Sequence, residues 1–152
     1  MDEIVARGMA RWPDVPAVYG WLQLDRRGNW RIKGERITNT AFRDFIARNY
    51  HADARGCWFF QNGPQRVFVE LAYTPLVVRY EGSSMLDHCS RPFRAGGFFQ
   101  DEEGSVLVEG EGTIALLDDR DLGRLADGSP APPGIRRAEL EKRFGFVSQP
   151  RP

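Results

Sequence analysis

Asp87, His88 and Cys89 stand side by side, and these residue types have the clearest capacity for covalent chemistry in the chain. A cysteine activated by an imidazole is a nucleophile. Adjacent side chains of a strand point to opposite faces, however, so His88 would not serve Cys89 and His51 would have to supply the base. The other reading is a loop histidine beside a small buried thiol. His51, Cys57, His88 and Cys89 are four residues of metal-ligand type, but they do not form the two close pairs with which structural zinc sites grip the ion, so no metal is expected. Asp101-Glu102-Glu103 and Asp118-Asp119-Arg120-Asp121 offer oxygen ligands for a divalent cation. They suit a solvated hairpin turn and a helix start equally well, and we read them that way. Walker, Rossmann, HExxH and GxSxG patterns are absent, Gly82-Ser83-Ser84 has no elbow context, and no cofactor is expected.

The second candidate is a binding site. WFFQNGPQRVFVEL, Trp58 to Leu71, brings amides and a guanidinium to a turn. Asn62, Gln65 and Arg66, with Trp58 and Phe60 beneath, have the donors to hold a carboxylate or phosphate bidentately. They are equally able to satisfy the turn's own carbonyls and to pair with Glu70.

The elements that must position these groups follow from periodicity. Val18–Asp25 and the NWRIKG segment alternate in the manner of strands, and the Arg26-Arg27-Gly28 turn joins them in a hairpin. ITNTAFRDFIARNYHADARG reads as one helix capped by Thr38 or Asn39, with Phe42, Phe45, Ile46 and Tyr50 on one stripe. CWFFQ and QRVFVELAY are strands. Pro64 argues for a loop of about four residues between them, because the residue closing a two-residue turn must donate its N–H. EGSSMLDHCSRPFRAGG reads as a long loop with a short strand or turn. GGFFQ, GSVLVEG and GTIALLD are strands, and DDRDLGRLADG is a short helix. Residues 1–16 are expected to form an arm and 17–128 an α+β domain, divisible into repeats 18–80 and 94–128. Residues 129–134 are a Pro-rich linker, and 135–152 a C-terminal helix and tail.

Bulk properties exclude several classes. The 152 residues suit one domain or two small halves. Lys+Arg and Asp+Glu are both 21, so no net field draws the chain to nucleic acid or to an anionic membrane. The basic residues other than Lys33 and Lys142 are arginines, as a GC-rich bacterial genome produces. No run approaches the roughly 20 apolar residues of a membrane helix. The N-terminus has no apolar signal region, and two cysteines make no disulfide framework, so a reducing cytoplasm is the expected compartment.

Asp25–Glu35 overlays Asp101–Glu111 at an offset of 76 residues, matching Asp25/Asp101, Gly28/Gly104, Gly34/Gly110 and Glu35/Glu111. Either this marks a duplicated hairpin-plus-helix unit, or two hairpins share a common turn chemistry. GNWRIKGERITN, FIARNY and DARGCWFFQNGPQRVFVELAYTP resemble an uncharacterised family of proteobacterial proteins known only as a domain of unknown function. The resemblance covers most of Val18–Arg79. The order G-x-W-x-x-x-G, helix, Asp-x-x-Gly-aromatic strand, strand is similar to a second bacterial family of unknown function, whose fold is built from repeated α/β motifs. Neither resemblance implies catalytic residues. The expected protein is therefore α+β, with antiparallel or mixed sheets from two related hairpin-plus-helix units. Its expected role is a binding or regulatory module for a small ligand or a protein partner. A small enzyme using Cys89, or a metal-binding acidic or histidine cluster, is the alternative. A homo-oligomer built on the Phe68 face or on Phe98-Phe99 is a further possibility.

Overall fold

The computed structural model describes residues 12–124 and 131–152. Most of the expected arm, the end of the DDRDLGRLADG helix and the start of the 129–134 linker lie outside them. The chain divides into two compact units. The first gathers residues up to Asp25, Asn29–Ala72 and Val147–Pro152; the second gathers Arg26–Gly28 and Tyr73–Phe146.

In the first unit β1 (Ala17–Leu24), β2 (Trp30–Ile32) and β3 (Glu35–Arg36) form a meander. Helix α1 (Thr40–Arg48) leads to a second meander of β4 (Tyr50–Ala52), β5 (Trp58–Asn62) and β6 (Gln65–Leu71). The sheet order is β3-β2-β1-β6-β5-β4, and only β1 and β6 run parallel. One face carries α1. There Phe60 is fully buried, with Phe45 at 5.4 Å and Trp12 at 6.0 Å between ring centroids. Burial of a ring of that size contributes about 1.5–3 kcal/mol. On the other face Phe68 is buried between Phe59 and Tyr19, and Val147 packs against the same group. The Phe68 face is thus interior.

The second unit contains β7 (Leu76–Glu81), β8 (Ser84–Asp87), β9 (Ala95–Gln100), β10 (Val106–Gly110) and β11 (Thr113–Leu117) in the order β8-β7-β11-β10-β9. A 3₁₀ turn, Asp119–Arg124, follows, and a second, Arg137–Glu139, leads into α2 (Leu140–Phe144). Here too the first and last strands, β7 and β11, are the parallel pair at the centre. The architecture is α+β with two mixed sheets.

The two units share more than topology. Phe59 pairs with Phe68, Phe60 with Val67 and Gln61 with Arg66. Leu107 pairs with Leu116, Val108 with Ala115 and Glu109 with Ile114. The β4–β5 pairs Tyr50–Phe60 and His51–Phe59 recur as Phe98–Val108 and Phe99–Leu107. All of these correspond at one offset of 48 residues (101 − 53, from Asp101 and Asp53), without a gap. The offset of 76 instead overlays β1–β2 on β9–β10, which hold different places in their units. Asp-x-x-Gly turns made that overlay look right.

Two local expectations change. The helix stops at Arg48, because Asn49 turns its amide onto the Phe45 carbonyl at 2.8 Å and Tyr50–Ala52 joins β5 as a strand. Its start is as expected: Asn39 Oδ1 accepts from the Phe42 N–H at 2.8 Å. The β5–β6 turn is tighter than expected, since Asn62 and Gln65 are paired and only Gly63 and Pro64 lie between them. Gly63 takes the left-handed φ of +56° and Pro64 the second turn position, where no N–H is needed. Among the described residues no helix is long and apolar enough to cross a membrane.

Candidate functional site

The structure spreads the β5–β6 candidates over both sheet faces. Trp58, Asn62 and Gln65 lie on the α1 face; Arg66 lies on the other, over the Phe59 ring at 4.6 Å. Gln65 is buried and fully engaged. Its Oε1 accepts from Trp12 Nε1 and Asn62 Nδ2, both at 3.0 Å, and its Nε2 donates to the carbonyls of Pro13 and Val15. Arg66 N–H donates to Pro16 O. This amide therefore clips residues 12–16 onto the start of β6. Trp58 is half-buried against Tyr50, with ring centroids 5.0 Å apart. A ligand at this turn would have to break four hydrogen bonds of one buried side chain.

Asp87 is equally committed. Its Oδ1 accepts from the N–H groups of Cys89 and Arg91, and its Oδ2 from Arg91 Nε at 3.0 Å. The same turn occurs three more times. Asp53 accepts from Arg55 and Cys57, Asp101 from Glu103 and Ser105, and Asp25 from Asn29. In each the fourth residue has positive φ: Gly28, Gly56, Ser90 and Gly104. The aspartate is the cap of a five-residue hairpin turn. His88 Nδ1 accepts from Val77 N–H at 3.2 Å, an acceptor role that places the ring proton on Nε2. Burial pushes the Cys89 thiol up to about 12, with Asp87 adding to the rise and Arg91 opposing it. Cys57 is also raised, by burial first and then by Asp53. His51 stands edge-on to Phe59. Among the described residues no group of three or more His, Cys, Asp or Glu is placed to hold a metal ion.

Cys89 should accordingly alkylate slowly with iodoacetamide, with a rate still climbing at pH 10; peptide mapping by mass spectrometry separates it from Cys57. Rapid labelling at pH 7 would contradict the raised thiol. The sign for stability follows from the raised value. The contribution is complete below the ordinary 9.0 and is lost as pH rises toward about 12.

The acidic groups are structural as well. Glu103 lies 3.9 Å from Arg26 and 3.6 Å from Arg137, and Glu102 accepts from Arg137 N–H. Asp121 accepts from Tyr80 N–H. Asp118 takes Arg120 side on, through Nε and NH2, and that guanidinium holds its carboxyl below the ordinary range.

The second unit contains a cleft of about 470 Å³ that pattern reading did not anticipate. Its apolar wall is Tyr80, Met85, Phe93 and Phe98. β8 and β9 are the two edges of the five-stranded sheet, and the segment between them is tied to both sides. Phe93 N–H donates to Met85 O, Leu86 bridges Pro92, and Arg94 N–H donates to Glu111 Oε1 at 3.0 Å. Gly110 makes room for this crossing, because a Cβ there would overlap Arg94 O and the Phe93 ring. Ser83, Ser84, Arg94 and Glu111 complete the lining. Among the described residues the Arg94 guanidinium has no hydrogen-bond or ion-pair partner. The only legible signals in the sequence were the apolar spacing of Met85, Phe93 and Phe98 and the arginine beside them.

Comparison with known proteins places the fold. A family model labelled DUF2944, with the description "Protein of unknown function (DUF2946)", matches residues 1–151. The chain belongs to that family. This agrees with the expected resemblance to a family of unknown function. Members of a second unknown-function family, DUF1285, share the architecture of this DUF2944 chain. The crystal structure of one from Silicibacter pomeroyi DSS-3 aligns at 18% identity over 84% of both chains, with a TM-score of 0.57. One from Shewanella baltica OS155 aligns at 15% identity over 68% of this chain and 87% of its own, with a TM-score of 0.52. At such identities the likeness is one of fold. No curated protein matches the chain. Neither family has an assigned activity, so no residue role passes from them to this DUF2944 chain.

Proposed function

We propose that the protein is a non-catalytic binding module for a small organic acid, whose apolar body lies in the cleft of the second unit and whose carboxylate meets Arg94. The observation that carries this is the combination of an aromatic-walled cleft of about 470 Å³ with one uncommitted guanidinium at its edge. Ligand pockets are of this size, about 300–1,000 Å³, and combine apolar walls with a few orienting polar groups. An arginine recognises carboxylates through two parallel N–H donors. Of the groups that an enzyme reading needs, Asp87 caps a turn and Cys89 is a half-buried thiol held in its protonated form. Two free cysteines support a reducing cytoplasm as the compartment.

Thermal unfolding against a panel of aromatic and aliphatic carboxylic acids tests the proposal. A ligand at about 100 times its dissociation constant should add roughly 2.7 kcal/mol of stability. The shift should vanish in Arg94→Ala and shrink in Phe98→Ala. No shift with any acid, or one that survives Arg94→Ala, would remove the cleft as the site.

A further inference from the structure

A different recess of the second unit is lined by three guanidinium-bearing residues and one carboxylate. It measures about 240 Å³, and Arg27, Gly28, Val77, Arg79, His88, Asp118 and Arg120 border it. We propose that it is a binding site for a small oxyanion, orthophosphate or the phosphate group of a small monoester.

Charge is the first argument. Three guanidinium groups border the recess; Arg120 is paired with Asp118 and Arg27 meets Asp119, which leaves Arg79 without a carboxylate partner among the described residues. An anion in the recess would neutralise the Arg79 charge and be attracted by the other two cations as well.

Donor capacity is the second. Arg79 is anchored by one bond, NH1 to the Asp87 carbonyl at 3.2 Å. Its remaining N–H donors are available. Arg120 gives Nε and NH2 to Asp118 at 3.0 and 2.6 Å, which fixes the plane of the guanidinium and leaves its other edge available. Arg27 meets Asp119 at 3.5 Å, with 60% of its side chain exposed. A ligand oxygen would compete easily with an exposed pair of that kind. Arg120 is as exposed as Arg27, with 67% of its side chain accessible, so Arg79 is the anchored donor and two exposed cations flank it, a set that suits an acceptor with several oxygens better than a single carboxylate.

The backbone is adapted to the same place. Gly28 has φ +81°, and a Cβ there would come within 2.7 Å of His88 Cβ. The turn is therefore pressed onto the histidine, whose ring Val77 N–H holds in place. That close approach brings Arg27 to the recess. Size sets the ligand class: about 240 Å³ accommodates an oxyanion with some of its water and lies below the range for nucleotide-sized molecules.

Isothermal titration of the full chain with sodium orthophosphate, at ionic strength matched with chloride, tests the site. Saturable binding is expected, weakened about tenfold or more by Arg79→Gln and by Arg120→Gln, as the loss of a charge-assisted hydrogen bond predicts. Arg94→Ala should leave it unchanged, which separates this site from the organic-acid cleft. Methyl phosphate distinguishes the two sources: binding as tight as orthophosphate points to a phosphate monoester, weaker binding to the free ion. Arg120→Gln frees Asp118 and could weaken folding. Arg79→Gln disturbs no carboxylate and is the deciding variant, with circular dichroism confirming its fold. Absence of saturable binding to wild type, or binding unaffected by Arg79→Gln, overturns the proposal.

Discussion

Asp101→Ala should lower the free energy of unfolding by about 3–5 kcal/mol, a loss comparable to removing a large core side chain. The carboxylate is buried at 6% exposure and accepts from three donors. Oδ1 takes Glu103 N–H at 2.9 Å and Ser105 N–H at 2.8 Å; Oδ2 takes the Tyr73 hydroxyl at 2.7 Å. Water can reach the turn amides, but the Tyr73 bond is buried, and its loss carries the larger share. Arg26 and Arg137 also cover the Tyr73 ring, at 4.8 and 4.7 Å from its centroid, so a shift of that ring unsettles two cations. Asp101→Asn should cost much less, because its carbonyl still serves both amides and its NH2 can donate to the tyrosine oxygen. Urea unfolding of wild type, Ala and Asn variants ranks them. If Ala and Asn are equally mild, the Asp101 carboxylate is not the keystone of that turn. Tyr73 adds a pH signature: burial first, then the Asp101 bond, raise its hydroxyl above the ordinary 10.0. The stability this represents is complete below pH 10 and is lost as pH rises further.

Strand existence was legible from the apolar pattern, and β1, β5, β6, β10 and β11 all lie where that pattern places them. Two misreadings have one physical source, the ambiguity of short polar punctuation. Tyr50 fits the helical stripe of Phe42 and Ile46, yet β5 offers it a strand partner, and pairing decides where periodicity cannot. Pro64 is incompatible with a tight turn centred on Asn62-Gly63, because the residue closing that turn must donate its N–H. With Gly63-Pro64 as the turn the objection disappears. The repeat was visible but slipped, since Asp-x-x-Gly marks any five-residue hairpin of this kind and occurs at Asp25, Asp53 and Asp101. Only the strand registers reveal that Asp53 and Asp101 are the corresponding pair.

The cleft was harder to read for a different reason. Gln65, Asn62 and Arg66 are close along the chain, but alternation along a strand sends neighbours to opposite faces. Adjacent residues of a strand are poor candidates for one site. The groups around the cleft come instead from β7, β8, β9, the segments between them and the β10–β11 turn, separated by up to 31 residues (111 − 80, from Glu111 and Tyr80). Asp87 shows the converse. A chemically suggestive triplet was part of a turn, hidden because Ser90 takes the left-handed place that glycine holds after Asp25, Asp53 and Asp101.

Gly110→Ala should destabilise the protein by about 3 kcal/mol, although it adds a single methyl group. Gly110 does not need a left-handed φ, so the cost is purely steric. The added Cβ would overlap the Arg94 carbonyl and lie 2.9 Å from two atoms of the Phe93 ring. A flexible side-chain tip could swing away. This neighbour is backbone, held by Phe93 N–H on Met85 O and by Arg94 N–H on Glu111. Relief therefore requires the crossing segment to lift, which breaks those bonds and exposes the buried Phe93 ring. Gly97→Ala is the control. It lies on neighbouring β9, no atom stands within 4 Å of the place its methyl would take, and its φ is ordinary, so it should stay within about 0.5 kcal/mol of wild type. Chemical denaturation of the two variants separates crowding from the general effect of replacing a strand glycine. Because the segment that must lift carries Phe93 and Arg94, Gly110→Ala should also abolish stabilisation by any organic acid bound in the cleft. A Gly110→Ala protein of wild-type stability would mean that residues 92–94 do not cross where this fold places them, and the cleft would lose one of its walls.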